Sequence, residues 1–239
     1  MIQHVGVDGC KAGWFAVARD GADLVWRVFP TVNDLISAFP VATRVLIDVP
    51  IGLPWADAPM RPCDSLARQV LGRPRSSSVF PVPCRLALSA AGIEGARKIN
   101  RKCIGRSLGS QTWGITPKIY EVDRLLLSAP AWLQRIREVH PEVCFWALAG
   151  RKPMQYNKAT LEGRNERLCV LERFELGVRS LLCEAMSKTI RKYVQADDIL
   201  DASVAFVTAE AIQGNLASLV GEPSHDTAGL PMEMVYLKI

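Results

Sequence analysis

Histidine is scarce: there are three in 239 residues, at positions 4, 140 and 225. The seven cysteines (10, 63, 84, 103, 144, 169, 183) contain no Cys-x-x-Cys pair. Together these shortages exclude the usual zinc signatures, and an odd number of scattered cysteines does not read as a disulfide framework. Most of the cysteines read instead as small buried residues of a reduced, cytoplasmic protein. No apolar run approaches the roughly 20 residues that cross a bilayer. The opening residues lack the charged stretch and cleavage site of a signal peptide, so none is expected. The chain also has no Walker A motif, no GxGxxG and no GxSxG nucleophile elbow, which removes the common nucleotide-binding and serine-hydrolase readings. Cys10 follows Asp8-Gly9 at a strand end, but His4 on the same strand is wrongly placed to act as its base.

A hydrophobic fraction of 49% and a net charge of only +5 describe a folded chain with ample core rather than a disordered one. The charge is unevenly spread. Between Arg61 and Arg106 stand ten Lys/Arg and two acids, giving +8, so the remainder is −3. Excess positive charge in one segment points to an anionic partner more than the total does.

The hydrophobic pattern predicts three strands over 2–7, 14–18 and 24–29, with a turn at Asp20-Gly21. It then predicts a helix Val32–Ala38 capped by Thr31 and a buried strand over 44–49. Seven prolines mark residues 50–83 as irregular, and a long loop in a compact domain is usually functional. Helices are expected over 93–108 and 119–127 around a break at 113–117. A strand over 137–147, interrupted by Pro141, follows. Helices over 160–176, 179–193 and 197–213 and a closing strand over 233–237 complete the chain. The expectation is a single α/β domain with a mixed sheet and flanking helices, carrying a Pro/Arg-rich insertion at about 50–130.

The carboxylates fall where sites form. Asp8 ends the first strand, Asp48 ends the fourth, and Asp197, Asp198 and Asp201 open a late helix. Acids at strand ends face the sheet edge used by α/β folds for ligands, and acids at i and i+3 of a helix share a face. Hard cations such as Mg²⁺ require oxygens gathered from separate elements in this way. The plainer alternative is a turn residue at Asp8 and an N-cap at Asp197. Glu142, placed mid-strand by the pattern, is either an edge-strand charge or a fourth acid. Arg61, Arg73, Arg75, Ser76 and Ser77 combine guanidinium forks with hydroxyls, as phosphate oxygens require; a solvated loop with local ion pairs is the alternative. The basic face of Arg97, Lys98, Arg101 and Lys102 is either solvated or a phosphate track.

Several segments in fixed order resemble the family termed "domain of unknown function 429". They are the runs 5–14 (VGVDGCKAGW), 47–54 (IDVPIGLP), 72–83, 116–119 (TPKI), 140–142 (HPE) and 197–202 (DDILDA). The resemblance implies a ribonuclease H-like fold, whose antiparallel meander, helix and parallel strands agree with the elements above. It implies a metal-dependent nuclease, with two Mg²⁺ or Mn²⁺ ions held by Asp8, Asp48 and Asp201 and with Asp198 and Glu142 as further site acids. Nucleic acid, DNA or RNA, is then the partner. Arg61, Arg73, Arg75, Ser76, Ser77, Arg85 and Lys118 are the implied phosphate contacts. Resolvase-type relatives carry Glu where this chain has Asp48. Two other function classes fit the same core. One is a nucleotide-dependent phosphotransferase of the sugar and acetate kinase kind, for which only Gly105 and Gly109 offer a second phosphate loop. The other is a non-catalytic binder of nucleic acid or a small ligand.

Overall fold

A computed structural model describes residues 1–212 and 214–239. Strands β1 (His4–Cys10), β2 (Gly13–Asp20) and β3 (Asp23–Phe29) form an antiparallel meander, followed by helix α1 (Val32–Ala38) and strand β4 (Arg44–Ile47). Thr31 caps α1: its hydroxyl accepts from the Asp34 amide, and the Asp34 carboxylate accepts from the Thr31 amide. Next come α2 (Pro62–Arg75), α3 (Arg85–Leu88), α4 (Ile93–Ile104), α5 (Ser110–Ser128) and β5 (Ile136–Glu138). Helices α6 (Pro141–Leu148), α7 (Leu161–Leu171), α8 (Val178–Lys188) and α9 (Ala196–Ala209) follow, with short closing strands β6 (Leu216–Ser218), β7 (Ser224–His225), β8 (Pro231–Met232) and β9 (Val235–Leu237).

The main sheet has five strands in the order β3-β2-β1-β4-β5, with β1, β4 and β5 parallel. Both faces are covered, so alternate residues of one strand enter different cores. Val5 and Val7 of β1, with Val45 and Ile47 of β4, pack beside α1 and α5. Phe15, Val17 and Leu46 face the opposite way, onto α6, α8 and α9. Double burial explains why β4 reads as an unbroken apolar run rather than an alternating one.

Four expectations are corrected. The run 137–147 is not one strand: β5 ends at Glu138, and α6 starts at Pro141 in the N1 position. All eight residues of α6 are buried, so the run carries no hydrophobic period to separate helix from strand. Residues 50–82 are not wholly irregular either, because α2 occupies Pro62–Arg75, again with proline at N1, and bends at Gly72 and Arg73. The break expected at 113–117 is absent. Helix α5 continues through Pro117, and the Thr116 hydroxyl donates 3.0 Å back to the Thr112 carbonyl. Finally, α9 ends at Ala209; the expected end at Gln213 lies outside the described residues. No helix among the described residues is long and apolar enough to cross a membrane.

Candidate functional site

Strand ladder geometry brings the first two acids together. The amide of Asp48 donates 3.0 Å to the carbonyl of Val7, which extends the parallel pairing one residue past β4 and sets Asp48 beside Asp8. Helix α9 lies across β1 and points its first turns at the same strand ends. It does so because Gly6, in the middle of β1, has no side chain: a Cβ there would sit 2.0 Å from the Phe206 amide nitrogen and 2.4 Å from the Ala202 carbonyl. Asp8, Asp48, Asp198 and Asp201 thereby line a single cleft of about 720 Å³, shared with Arg75, Lys118, His140, Glu142 and Lys158.

The carboxylates are crowded and poorly hydrated, and their acidities show it. Burial, then the charges of Asp48 and Asp201, push Asp8 well above the ordinary carboxylate range. Burial, then Asp201, push Asp48 up to about 7. Burial raises Asp198 to about 6, although its Oδ2 accepts 2.7 Å from the Gln195 amide at the start of α9. Asp201 is raised as well, since burial outweighs the Lys158 ammonium facing it. Lys158 Nζ lies 2.6 Å from Asp201 Oδ2 and 3.6 Å from Asp197 Oδ2, and Asp201 is the main cause of its elevated pKa. Asp201 Oδ1 is buried with no partner. Among the described residues no three His, Cys, Asp or Glu side chains are preassembled around one metal position.

The structure separates the remaining site expectations. Glu142 sits in the first turn of α6, where one oxygen pairs with the buried Arg167 and the other has no partner. Arg61 is corrected in part: it borders the cleft but is only 1% exposed, and its guanidinium is paired with Glu138, Asp64 and the Ile51 carbonyl, while Nε and Nη1 have no hydrogen-bond partner. Burial opposes its charge, but Glu138 and Asp64 more than offset that and hold its pKa above the ordinary value. Replacing Arg61 with Ala would strand two buried carboxylates. The expected cost is about 3–5 kcal/mol in a denaturant melt.

Arg85 is also corrected, because it is tied to Asp123 at 2.8 Å and to Asp226 at 2.5 Å and stands outside the cleft wall. Arg73 is exposed, and neither it nor Ser76 lines the cleft. Arg75 and Ser77 do line it, although the Ser77 hydroxyl already donates 2.8 Å to the Pro74 carbonyl. Lys118 also reaches the cleft. Its Nζ is held 2.5 Å from the Gly13 carbonyl and 4.4 Å from the centre of the Trp14 ring, and burial lowers its pKa.

Two cleft residues carry no readable spacing signal. Lys158 precedes the Thr160 cap of α7 and has no periodic relation to the acids it meets. His140 stands in the His140-Pro141-Glu142 run but carries no spacing signal of its own. Its Nε2 lies 3.3 Å from the Ser78 carbonyl while Nδ1 is buried without a partner, and burial lowers its pKa. Because a carbonyl only accepts, Nε2 carries the proton in that contact and Nδ1 offers a lone pair.

A family model matches residues 6–225, more than half of the chain. The chain belongs to the family described as "Protein of unknown function (DUF429)". The family match spans Asp8, Asp48, Asp198 and Asp201 together with Lys118, Lys158 and His140. No curated protein and no solved structure matches the chain. The family therefore supplies kinship, and the chemistry must be argued from the cleft.

Proposed function

We propose that the chain is a ribonuclease H-like, divalent-cation-dependent nuclease that hydrolyses phosphodiester bonds. One observation carries this reading: Asp8 on β1, Asp48 just past the adjacent parallel strand β4, and Asp201 in the N-terminal half of α9 line one cleft that also holds cationic side chains. The sheet order β3-β2-β1-β4-β5, an antiparallel meander continued by parallel strands, supports the fold assignment.

The donor set suits a hard cation. Every candidate ligand is a carboxylate oxygen, and Asp201 Oδ1 is a buried acceptor with nothing to accept from. Asp8, Asp48 and Asp201 would hold Mg²⁺ or Mn²⁺, which supplies an activated water and neutralises charge developing on the phosphoryl group. The protein's own groups then have separate tasks. Lys118, fixed by Gly13 and Trp14, and Arg75 from the bend of α2 bind phosphate oxygens. His140 Nδ1 accepts a hydrogen bond from water or a substrate hydroxyl in the cleft. Lys98, Arg101 and Lys102, all exposed on α4, extend the positive surface for the rest of the strand.

Purified protein should cleave at least one of single-stranded, duplex, hybrid or branched nucleic acid in Mn²⁺, and Asp8→Asn should abolish that cleavage. Equal cleavage by both proteins, after repeated chromatography, would refute the assignment.

A further inference from the structure

Among the cations of the cleft, Lys158 is the one paired with Asp201, and its attachment is rigid. Residues 155–157, just before Lys158, are braced from α7. The amides of Gln155 and Tyr156 donate to the Glu166 carboxylate at 2.8 and 3.0 Å, and Arg167 Nη1 donates 3.1 Å to the Tyr156 carbonyl. The Thr160 hydroxyl donates 3.0 Å to the Asn157 carbonyl. That carbonyl lies so close to Gly163 that a Cβ there would approach within 1.9 Å. Lys158 therefore projects from a pinned strap, not from a free loop.

We infer that the cleft takes one divalent cation, with the Lys158 ammonium permanently standing in for a second. This inference rests on the reading of the site as a cation-dependent centre and changes the number of ions in it. The geometry divides Asp201 between the two charges. Oδ2 lies 2.6 Å from Lys158 Nζ, and Oδ1 is buried and free for a metal. Asp198 is partly withdrawn, because its Oδ2 accepts from the Gln195 amide. The Lys158 ammonium already occupies the Oδ2 side of Asp201, so a second divalent ion there would stand within a few ångströms of a fixed positive charge in a partly dehydrated cleft, where like charges repel strongly.

Titration of the full chain with MnCl₂, followed by calorimetry and by the paramagnetic resonance of bound Mn²⁺, tests the count directly. Wild type and Lys158→Arg should each bind one Mn²⁺ per chain with an isolated-ion spectrum. Lys158→Met should bind two, with the spin-coupled spectrum of a close pair. Two ions per wild-type chain, or one ion in Lys158→Met, would overturn the inference. Lys158→Gln serves for the charge deletion if the Met variant does not fold. The outcomes separate the two readings: a one-to-two change without cleavage by wild type keeps the cation count and removes the nuclease assignment, whereas cleavage with two ions bound per wild-type chain does the reverse. Absence of any Mn²⁺ binding would remove both.

Discussion

Asp48→Asn should lose the proposed nuclease activity while becoming more stable without metal. The two effects share one cause. Asp48 is held among Asp8, Asp201 and Glu142 in a poorly hydrated position, and its pKa stands at about 7 against an ordinary value of 3.8. In the unfolded chain Asp48 ionises near its ordinary value, so between about pH 4 and pH 7 the folded state holds a proton that the unfolded state has released. Stability of the metal-free protein therefore falls as pH rises through that window and levels off above it. A shift of that size corresponds to at most about 4 kcal/mol between the two protonation states. Asparagine resembles the neutral carboxyl at every pH, so the variant should match wild type near pH 4 and melt clearly higher at pH 8. Asn binds Mg²⁺ or Mn²⁺ far less well than a carboxylate, and cleavage should drop by about 1,000-fold, or about 4 kcal/mol of barrier. Thermal melts in chelator across pH 4–8, with cleavage assays in Mn²⁺, check both halves. A variant that melts lower than wild type at pH 8 would show that Asp48 is a structural acid rather than one held ionised for a ligand.

How much of this could be read from the residues alone depended on what kind of information placed each group. Asp8 and Asp48 were legible because an apolar run stops locally and Asp8-Gly9 or Asp48-Val49-Pro50 follows; the expected strand end at Asp8 is corrected, since β1 continues through Asp8 to Cys10. The i, i+3 spacing of Asp198 and Asp201 was legible for the same reason. Local pattern failed where burial was complete. Residues 141–148 are buried on every side, so neither period 2 nor period 3.6 could emerge, and Glu142 was placed on a strand although it opens a helix. Arg61 misled in a different way. Ten basic residues in one segment suggested a phosphate surface, yet Arg61 and Arg85 turn inward to Glu138, Asp123 and Asp226, acids 38 to 141 residues away. Charge counting along a chain cannot see such pairs. Lys158 was missed because nothing in its neighbourhood marks it: its partner Asp201 is 43 residues distant, and the strap that aims it is built from Glu166, Arg167 and Gly163.

The same dependence on close approach makes Gly6→Ala a severely damaging substitution in this fold. Val5 and Val7 point to one side of the sheet, so residue 6 faces α9, and α9 lies directly on the β1 backbone. A Cβ at Gly6 would stand 2.0, 2.4 and 2.5 Å from Phe206 N, Ala202 O and Phe206 Cα, all backbone atoms that no rotamer change can move. The helix must therefore lift as a body. It carries Phe206, Val204 and Ala205 out of a core in which each is fully buried, and overpacking of that kind costs about 3 kcal/mol or more. Lifting α9 also withdraws Asp198 and Asp201 from Asp8 and Asp48, so whatever fraction of the variant folds should bind Mn²⁺ at least 10-fold more weakly. Gly95→Ala is the matched control. Gly95 lies on α4 with its nearest neighbour 3.9 Å away, so there the added methyl should be neutral or stabilise by up to about 1 kcal/mol. Urea melts and Mn²⁺ titrations of both variants distinguish a general intolerance of added methyls from a helix whose distance to β1 sets the carboxylate cluster. A Gly6→Ala protein with wild-type stability and wild-type Mn²⁺ affinity would show that the seat of α9 on β1 does not position the site.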